Sequence, residues 1–297
     1  MPNKPIIHIV AATDDSYVQH LGVAMKSLLI HLSHAWARFY VLHNPLSASN
    51  REKLVRTLDG ERAELLFLPV ESGAFSGLPT NHHINETSYA KIVIPELLKP
   101  YDLDKAIYID CDVVVRGDLL PLWNLDLQGR SLAAVRDIGG DFRKAELGIP
   151  ASSGYFNAGV LVFDMRRWTE KRLTGRVMSM MERHPDKLVF HDQDALNAVL
   201  HDDWLELPVC WNFQTNRLQG PEPANLCVIH YTGASKPWHS GCQHPYGGEY
   251  FKYLAQTSWA SFRPKRNWRR MLRNAVKSAL PPPLLRWLSR RKGAALH

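Results

Sequence analysis

The chain of 297 residues is poor in cysteine: only Cys111, Cys210, Cys227 and Cys242 occur, with no C-x-x-C pair among them. This excludes the disulfide framework on which small secreted domains rely, and it reads as free thiols in a reducing compartment. No apolar run reaches the ~18 residues of a membrane-spanning helix. The short apolar stretch at residues 6–10 passes into Asp14-Asp15 with no small-residue cleavage site, so no secretory signal is read. Acidic residues are missing from one region only. From residue 252 onward there are 12 Lys or Arg and no Asp or Glu, which leaves 24 basic residues against 29 acidic ones before it. The formal charge of +7 therefore belongs to the tail, and the body is acidic.

The character of the chain changes after Ser261. Arg263-Pro-Lys-Arg-Asn-Trp-Arg-Arg-Met-Leu-Arg273 and Leu284-Leu-Arg-Trp-Leu-Ser-Arg-Arg-Lys292 flank Pro281-Pro-Pro283, which predicts two short basic amphipathic helices parted by a proline break. The expected division is a catalytic domain over 1–261 and a membrane-association tail over 262–297. Basic residues with Trp268, Leu272, Trp287 and Leu288 on the other face suit an anionic membrane surface, each charge contributing about 1 kcal/mol. The same charge is compatible with nucleic acid. The acidic body and the Trp and Leu content argue against that partner.

The body alternates short apolar runs with helical periodicity. Strands are expected near residues 6–11, 38–42, 64–68, 132–135, 155–163 and 226–231, and helices near 17–32, 47–58, 88–98 (interrupted at Pro95), 167–183 and 192–200. Alternation of this kind implies a single α/β domain with a parallel, Rossmann-like sheet in its N-terminal half. Ligands of such sheets bind beyond the carboxyl ends of the strands. Residues 139–154 are polar and Gly-rich, compatible with a mobile loop over the site or with an ordinary surface connection. No internal repeat is visible.

The richest stretch is Lys105-Ala-Ile-Tyr-Ile-Asp-Cys-Asp-Val-Val-Val115, a buried-type β run carrying two carboxylates one residue apart. Residues i and i+2 of a strand share a face, so Asp110 and Asp112 are expected to converge while Cys111 points away. Paired carboxylates repel unless a cation balances them, and oxygen ligands at a strand end suit Mg2+ or Mn2+. A lone Asp-X-Asp is in most chains only a solvated turn or helix cap, and the metal reading alone also fits a phosphohydrolase or nucleotidyltransferase.

Three later segments accompany the pair: Tyr155-Phe-Asn-Ala-Gly-Val-Leu-Val-Phe-Asp164, Phe190-His-Asp-Gln-Asp-Ala-Leu-Asn197 and Ile229-His-Tyr-Thr-Gly-Ala-Ser-Lys-Pro-Trp238. In this order and spacing the four resemble glycosyltransferase family 8, in particular its bacterial lipopolysaccharide and lipooligosaccharide galactosyl- or glucosyltransferases. The resemblance runs from about residue 6 to about residue 248. It implies a GT-A-type fold and transfer of a hexose from a UDP-sugar, with retention, to a lipid-linked oligosaccharide. It further implies a cytoplasmic enzyme held peripherally on the inner face of the bacterial inner membrane.

The resemblance assigns Asp110, Asp112 and His230 as ligands of Mn2+, with Mg2+ as the other option. It places Ala11, Asp14, Ser16, Tyr17, Lys91, Asp137, Asn157, Gly233 and Lys236 at the nucleotide and donor sugar. The family tends toward Asn where this chain has Ser16, and relatives often carry Arg at Lys91. Asp192 and Gln193 fall at the reacting carbon, and His83, Phe190 and Thr232 on the acceptor side. An amide is a poor nucleophile. Gln193 is therefore expected to stabilise a sugar cation in a front-face reaction, with Asp192 as nucleophile the lesser alternative.

Overall fold

The computed structural model describes residues 4–70 and 89–264; His83 and the tail beyond residue 264 lie outside them. Seven strands form the main sheet in the order β3-β2-β1-β4-β7-β6-β8. They are β1 Ile6–Thr13, β2 Trp36–His43, β3 Ala63–Pro69, β4 Lys105–Ile109, β6 Leu132–Arg136, β7 Phe156–Asp164 and β8 Trp204–Glu206. A smaller sheet joins β5 Val113–Val115, β10 Val228–His230 and β9 Phe213–Gln214, with β10 in the centre.

The main sheet is buried on both faces, and alternation along each strand divides it between two cores. Ile7, Ile9, Ala11, Ile107, Ile109, Val160 and Val162 join one cluster with helix Val18–His31 and helix Gly247–Leu254. Val10, Ala12, Tyr108, Leu161 and Phe163 join the other with helices Leu173–Arg183 and His191–Leu200. Two-sided burial explains why these strands read as near-continuous apolar runs.

Several sequence expectations need correction. The N-terminal half of the sheet, β3-β2-β1-β4, is parallel as expected, but beyond it β7 runs antiparallel to both β4 and β6. No α-helix crosses over between β6 and β7, and without a crossover the chain can only return antiparallel. The run at 105–115 is two strands in two sheets, broken at the Asp110-Cys-Asp112 turn. The helix expected over 167–183 is two, Met165–Glu170 and Leu173–Arg183, because Arg172 turns left-handed at φ +52°. Pro95 opens helix Ile94–Leu97 in its first turn, where a missing N–H costs nothing, rather than interrupting a longer one. The Gly-rich stretch at 139–154 is packed: Arg143 is buried, and Leu147 and Ile149 form a small cluster with Tyr155.

Candidate active site

The break between β4 and β5 positions the acidic pair. The Asp110 amide donates to the carbonyl of Gly159 in β7 at 2.8 Å, while β5 pairs antiparallel with β10 in a register that sets Val113 opposite His230. The Tyr231 amide closes that register by donating to the Asp112 carbonyl at 3.0 Å. Asp110, Asp112 and His230 thus converge through a turn between two sheets and not through the pleat of one strand, with ligand atoms all within 4.8 Å of one another. His230 Nε2 lies 3.2 Å from Asp112 Oδ1 and 3.7 Å from Asp110 Oδ2. Cys111 points away as expected, its buried thiol donating to the Ala12 carbonyl at 3.0 Å.

Gly159 tests whether the cluster can hold a divalent cation. A Cβ there would lie 2.1 Å from His230 Cε1 and 2.7 Å from Asp110 Oδ2, so only a bare backbone lets the imidazole and this carboxylate pack against β7 and converge with Asp112. Two carboxylates and an imidazole in such a cradle fit Mn2+ or Mg2+.

Two lysines balance the acids. Lys91 Nζ is buried, 2.8 Å from Asp192 Oδ2 and 3.4 Å from Asp110 Oδ1, and also donates to the Ala158 carbonyl at 3.2 Å. Burial works against its charge, but Asp110 and Asp192 overcome it and raise its pKa. At Asp192 burial wins over Lys91 and moves the carboxyl up. Lys236 Nζ donates to Asp112 Oδ2 and, at 2.6 Å, to the Tyr231 carbonyl. Burial of Asp112 is outweighed by His230 and Lys236, which together hold its carboxyl far below the usual range.

The Lys236-Pro-Trp238 turn is anchored by its tryptophan. Trp238 stacks on His20 with ring centroids 3.5 Å apart, and the Tyr250 hydroxyl lies 2.7 Å from His20 Nδ1. Burial drives the His20 pKa down to about 3. Tyr17 meets Trp238 edge-on and stays 40% exposed at the mouth, a ring surface open to a planar base. Gly233, at φ +82°, supplies the left-handed turn that starts this loop.

Asp14 and Ser16 are engaged with one another. Asp14 Oδ1 accepts from the Ser16 amide and hydroxyl at 2.9 and 2.6 Å and from the Tyr17 amide at 3.0 Å, an Asx turn that starts helix Val18–His31. Ala11 is buried within β1.

Gln193 sits in a web. Its Oε1 accepts from Asn157 Nδ2 at 3.2 Å and from the Ala158 amide at 3.1 Å, and its Nε2 donates to Asp137 Oδ2 at 3.2 Å and to the Tyr155 hydroxyl at 3.3 Å. Tyr155 in turn donates to Asp194 Oδ1 at 2.6 Å, and Arg143 Nε pairs with Asp194 Oδ2 at 3.3 Å. Of the residues expected at the acceptor, Phe190 is 40% exposed and edge-on to Phe142, while Thr232 Oγ1 accepts from the Thr215 amide at 3.0 Å.

Sequence reasoning missed Asn212, Gly159, Tyr108, Asp194 and Arg143. Tyr108 donates to Asp110 Oδ1 at 2.7 Å and sits in the quoted 105–115 run, where it reads as one more apolar strand position, while Asn212, whose Oδ1 lies 2.9 Å from His230 Nδ1, falls in no motif. Gly159 was visible within Asn157-Ala-Gly159, but the room its missing side chain gives His230 and Asp110 was not.

Open sheets of this kind place their chemistry beyond the carboxyl ends of the strands, and β4 delivers its two carboxylates there. The architecture is that of the GT-A class of glycosyltransferases. A galactosyltransferase, LgtC, solved with donor and acceptor sugar analogues, superposes with a TM-score of 0.78 at 29% identity, covering 84% of this chain and 96% of that one. The family model Glycosyl transferase family 8 matches residues 8–242, and the chain belongs to that family. It is 35% identical to General stress protein A of Bacillus subtilis over 87% of this chain and 96% of that protein. It is 26% identical to lipopolysaccharide 1,2-glucosyltransferase of Escherichia coli over 87% of this chain and 80% of that one. The enzyme is a glycosyltransferase.

Proposed function

We propose that this enzyme transfers a hexose, galactose or glucose, from a UDP-sugar to the core or outer oligosaccharide of a lipopolysaccharide-type acceptor, with retention and with a divalent cation. The observation that carries the reading is the Asp110, Asp112, His230 cluster beside the Gln193 web. Similarity to a lipopolysaccharide glucosyltransferase and to LgtC supports the acceptor and donor classes.

Asp110, Asp112 and His230 would hold Mn2+ or Mg2+, whose chemistry there is Lewis-acid stabilisation of the departing diphosphate. Lys236 adds a second positive charge at the same rim, on a loop fixed by Trp238. Asp14 and Ser16 shape the β1 turn, and Tyr17 offers its exposed ring to the uracil. Asp137, Asn157 and Gln193 line the donor-sugar position with a carboxylate and two amides, the groups that read hexose hydroxyls. His83, Phe190 and Thr232 are assigned to the acceptor in this reading.

Both ends of the Gln193 amide are hydrogen-bonded, and Asp192 is ion-paired with Lys91. Neither is a free nucleophile. That supports a front-face displacement, in which Gln193 stabilises positive charge on the sugar and the leaving diphosphate takes the acceptor proton. Catalysis falls to residues 1–261, and the basic tail 262–297 docks the enzyme on an anionic cytoplasmic membrane surface. Among the described residues no helix is long and apolar enough to cross a membrane.

The test is a donor screen with UDP-galactose, UDP-glucose and UDP-N-acetylglucosamine, read as UDP release with and without a lipooligosaccharide acceptor. Acceptor-stimulated release that requires Mn2+ or Mg2+ and is lost in Asp112→Asn is expected. Equal release with water alone would make the enzyme a UDP-sugar hydrolase, and UMP with hexose 1-phosphate in place of UDP would make it a phosphohydrolase; either result would sink the proposal.

A further inference from the structure

A chain of buried amides runs from the metal-ligand candidate His230 to Gln193, and two backbone N–H groups fix its polarity. The Gly159 amide donates to one side-chain atom of Asn157 at 3.0 Å, so that atom is Oδ1. Asn212 meets the same oxygen at 2.8 Å and must present its Nδ2 there. Its remaining atom, Oδ1, then faces His230 Nδ1 at 2.9 Å, and an acceptor in that place requires a hydrogen on Nδ1. Nε2 is then the nitrogen turned toward Asp110 and Asp112. In the other direction Asn157 Nδ2 donates to Gln193 Oε1, an oxygen independently identified by the Ala158 amide 3.1 Å away. Gln193 Nε2 is thereby directed to Asp137. Asn212 is fully buried, Asn157 6% exposed and His230 4% exposed, so no solvent competes for these bonds.

We infer that Asn212 is a positioning residue that, by accepting from His230 Nδ1–H, fixes the ring with Nε2 aimed at the metal position and, through Asn157, orients the Gln193 amide at the donor sugar. The role deepens the transferase reading above and rests on it for Gln193. A single side chain joins the two halves of the site. Hydrogen bonds from a ligating imidazole to a neighbouring acceptor commonly govern metal affinity by 10- to 100-fold.

Two substitutions separate the halves. Asn212→Asp keeps an acceptor for His230 but replaces the donor to Asn157 with a second oxygen. Mn2+ affinity, measured by calorimetric titration in the presence of UDP, should stay within about 3-fold or tighten, while kcat for sugar transfer falls on the order of 10- to 100-fold with little change in KM. Asn212→Ala removes both bonds, and Mn2+ affinity should fall about 10- to 100-fold as well. Equal effects of the two variants on metal affinity and kcat would reduce Asn212 to a packing residue and overturn the inference.

Because Asn212 is buried, a measurement on the unaltered full chain stands beside the variants. Nitrogen-15 histidine NMR, with His230 assigned by comparison with His230→Gln, should show a hydrogen on Nδ1. A neutral ring carrying its hydrogen on Nε2 alone would refute the proposal. The NMR and Mn2+ readouts are independent of turnover, so a failure to transfer any hexose would count against the proposed function without touching the His230 half of this inference.

Discussion

Gly159→Ala tests the site with the smallest possible perturbation. The added methyl would sit 2.1 Å from His230 Cε1 and 2.7 Å from both His230 Nδ1 and Asp110 Oδ2. Carbon atoms in contact rest about 3.5 to 4.0 Å apart, so the imidazole must retreat by roughly 1.5 Å or β7 must shift by as much. β7 is hydrogen-bonded on both sides, and the Gly159 carbonyl accepts from Asp110. The ring is held from its other nitrogen by Asn212. Yielding therefore falls on the ligands themselves. A displacement of about 1 Å at reacting groups can cost around 100-fold in rate, while overpacking one methyl in a tight core costs about 1 to 3 kcal/mol. The expected outcome is a folded variant with a modestly lower thermal midpoint, Mn2+ binding weakened at least about 10-fold, and transfer reduced about 100-fold or more. Near-native Mn2+ affinity and UDP release in Gly159→Ala would refute the assignment of His230 and Asp110 as cation ligands.

Lys91→Met removes the cation between Asp110 and Asp192 and should destabilise the fold by about 3 to 5 kcal/mol at neutral pH, less in acid where the carboxyls protonate; urea unfolding showing under 1 kcal/mol would count against it. His20 carries a pKa depressed to about 3, below its unfolded value, so its contribution is complete above about pH 6.5 and is lost as pH falls toward 3, by about 1.4 kcal/mol per unit. His20→Phe should flatten the stability profile across that window, and an unchanged slope between pH 6 and 4 would show that another group is responsible. Truncation after Pro264 keeps Phe262, which packs on the core, and should preserve turnover on a soluble acceptor while reducing co-sedimentation with anionic vesicles and activity on acceptor embedded in them. Equal loss on both acceptors would place the tail within the catalytic fold.

The sequence was most legible where chemistry and periodicity coincide. The Asp110-Cys-Asp112 pair, the Asn157 strand, the Asp192-Gln193 helix start and the His230 turn all stood out as motifs, and their strands and helices fell within a few residues of the expected places. The antiparallel setting of β7 was hidden because an apolar run reads alike in either direction. Two strands in two sheets were taken for one, since Val113-Val-Val115 continues the β-branched pattern of Ile107 and Ile109 without a turn residue strong enough to mark the break. Asn212 and Arg143 were illegible for a different reason. Their partners lie 18 and 51 residues away, and nothing local distinguishes a buried, satisfied amide or guanidinium from an exposed one.

The pairing of β5 with β10 has a consequence for how the molecule assembles. Asp112 and His230 are supplied by segments more than a hundred residues apart in sequence, and only the register of that small sheet brings them together. A denatured chain, or a folding intermediate in which β10 has not yet docked, has no comparable binding centre. A cation held there acts on the native state alone, and the stabilisation grows as RT ln(1 + [M]/Kd), reaching about 2.7 kcal/mol at one hundred times Kd. Long-range closure of this sort is also slow, because loop entropy is spent before any contact rewards it. Metal capture after dilution from denaturant should therefore lag behind the recovery of helical signal, making the ion a clock for the last step of folding.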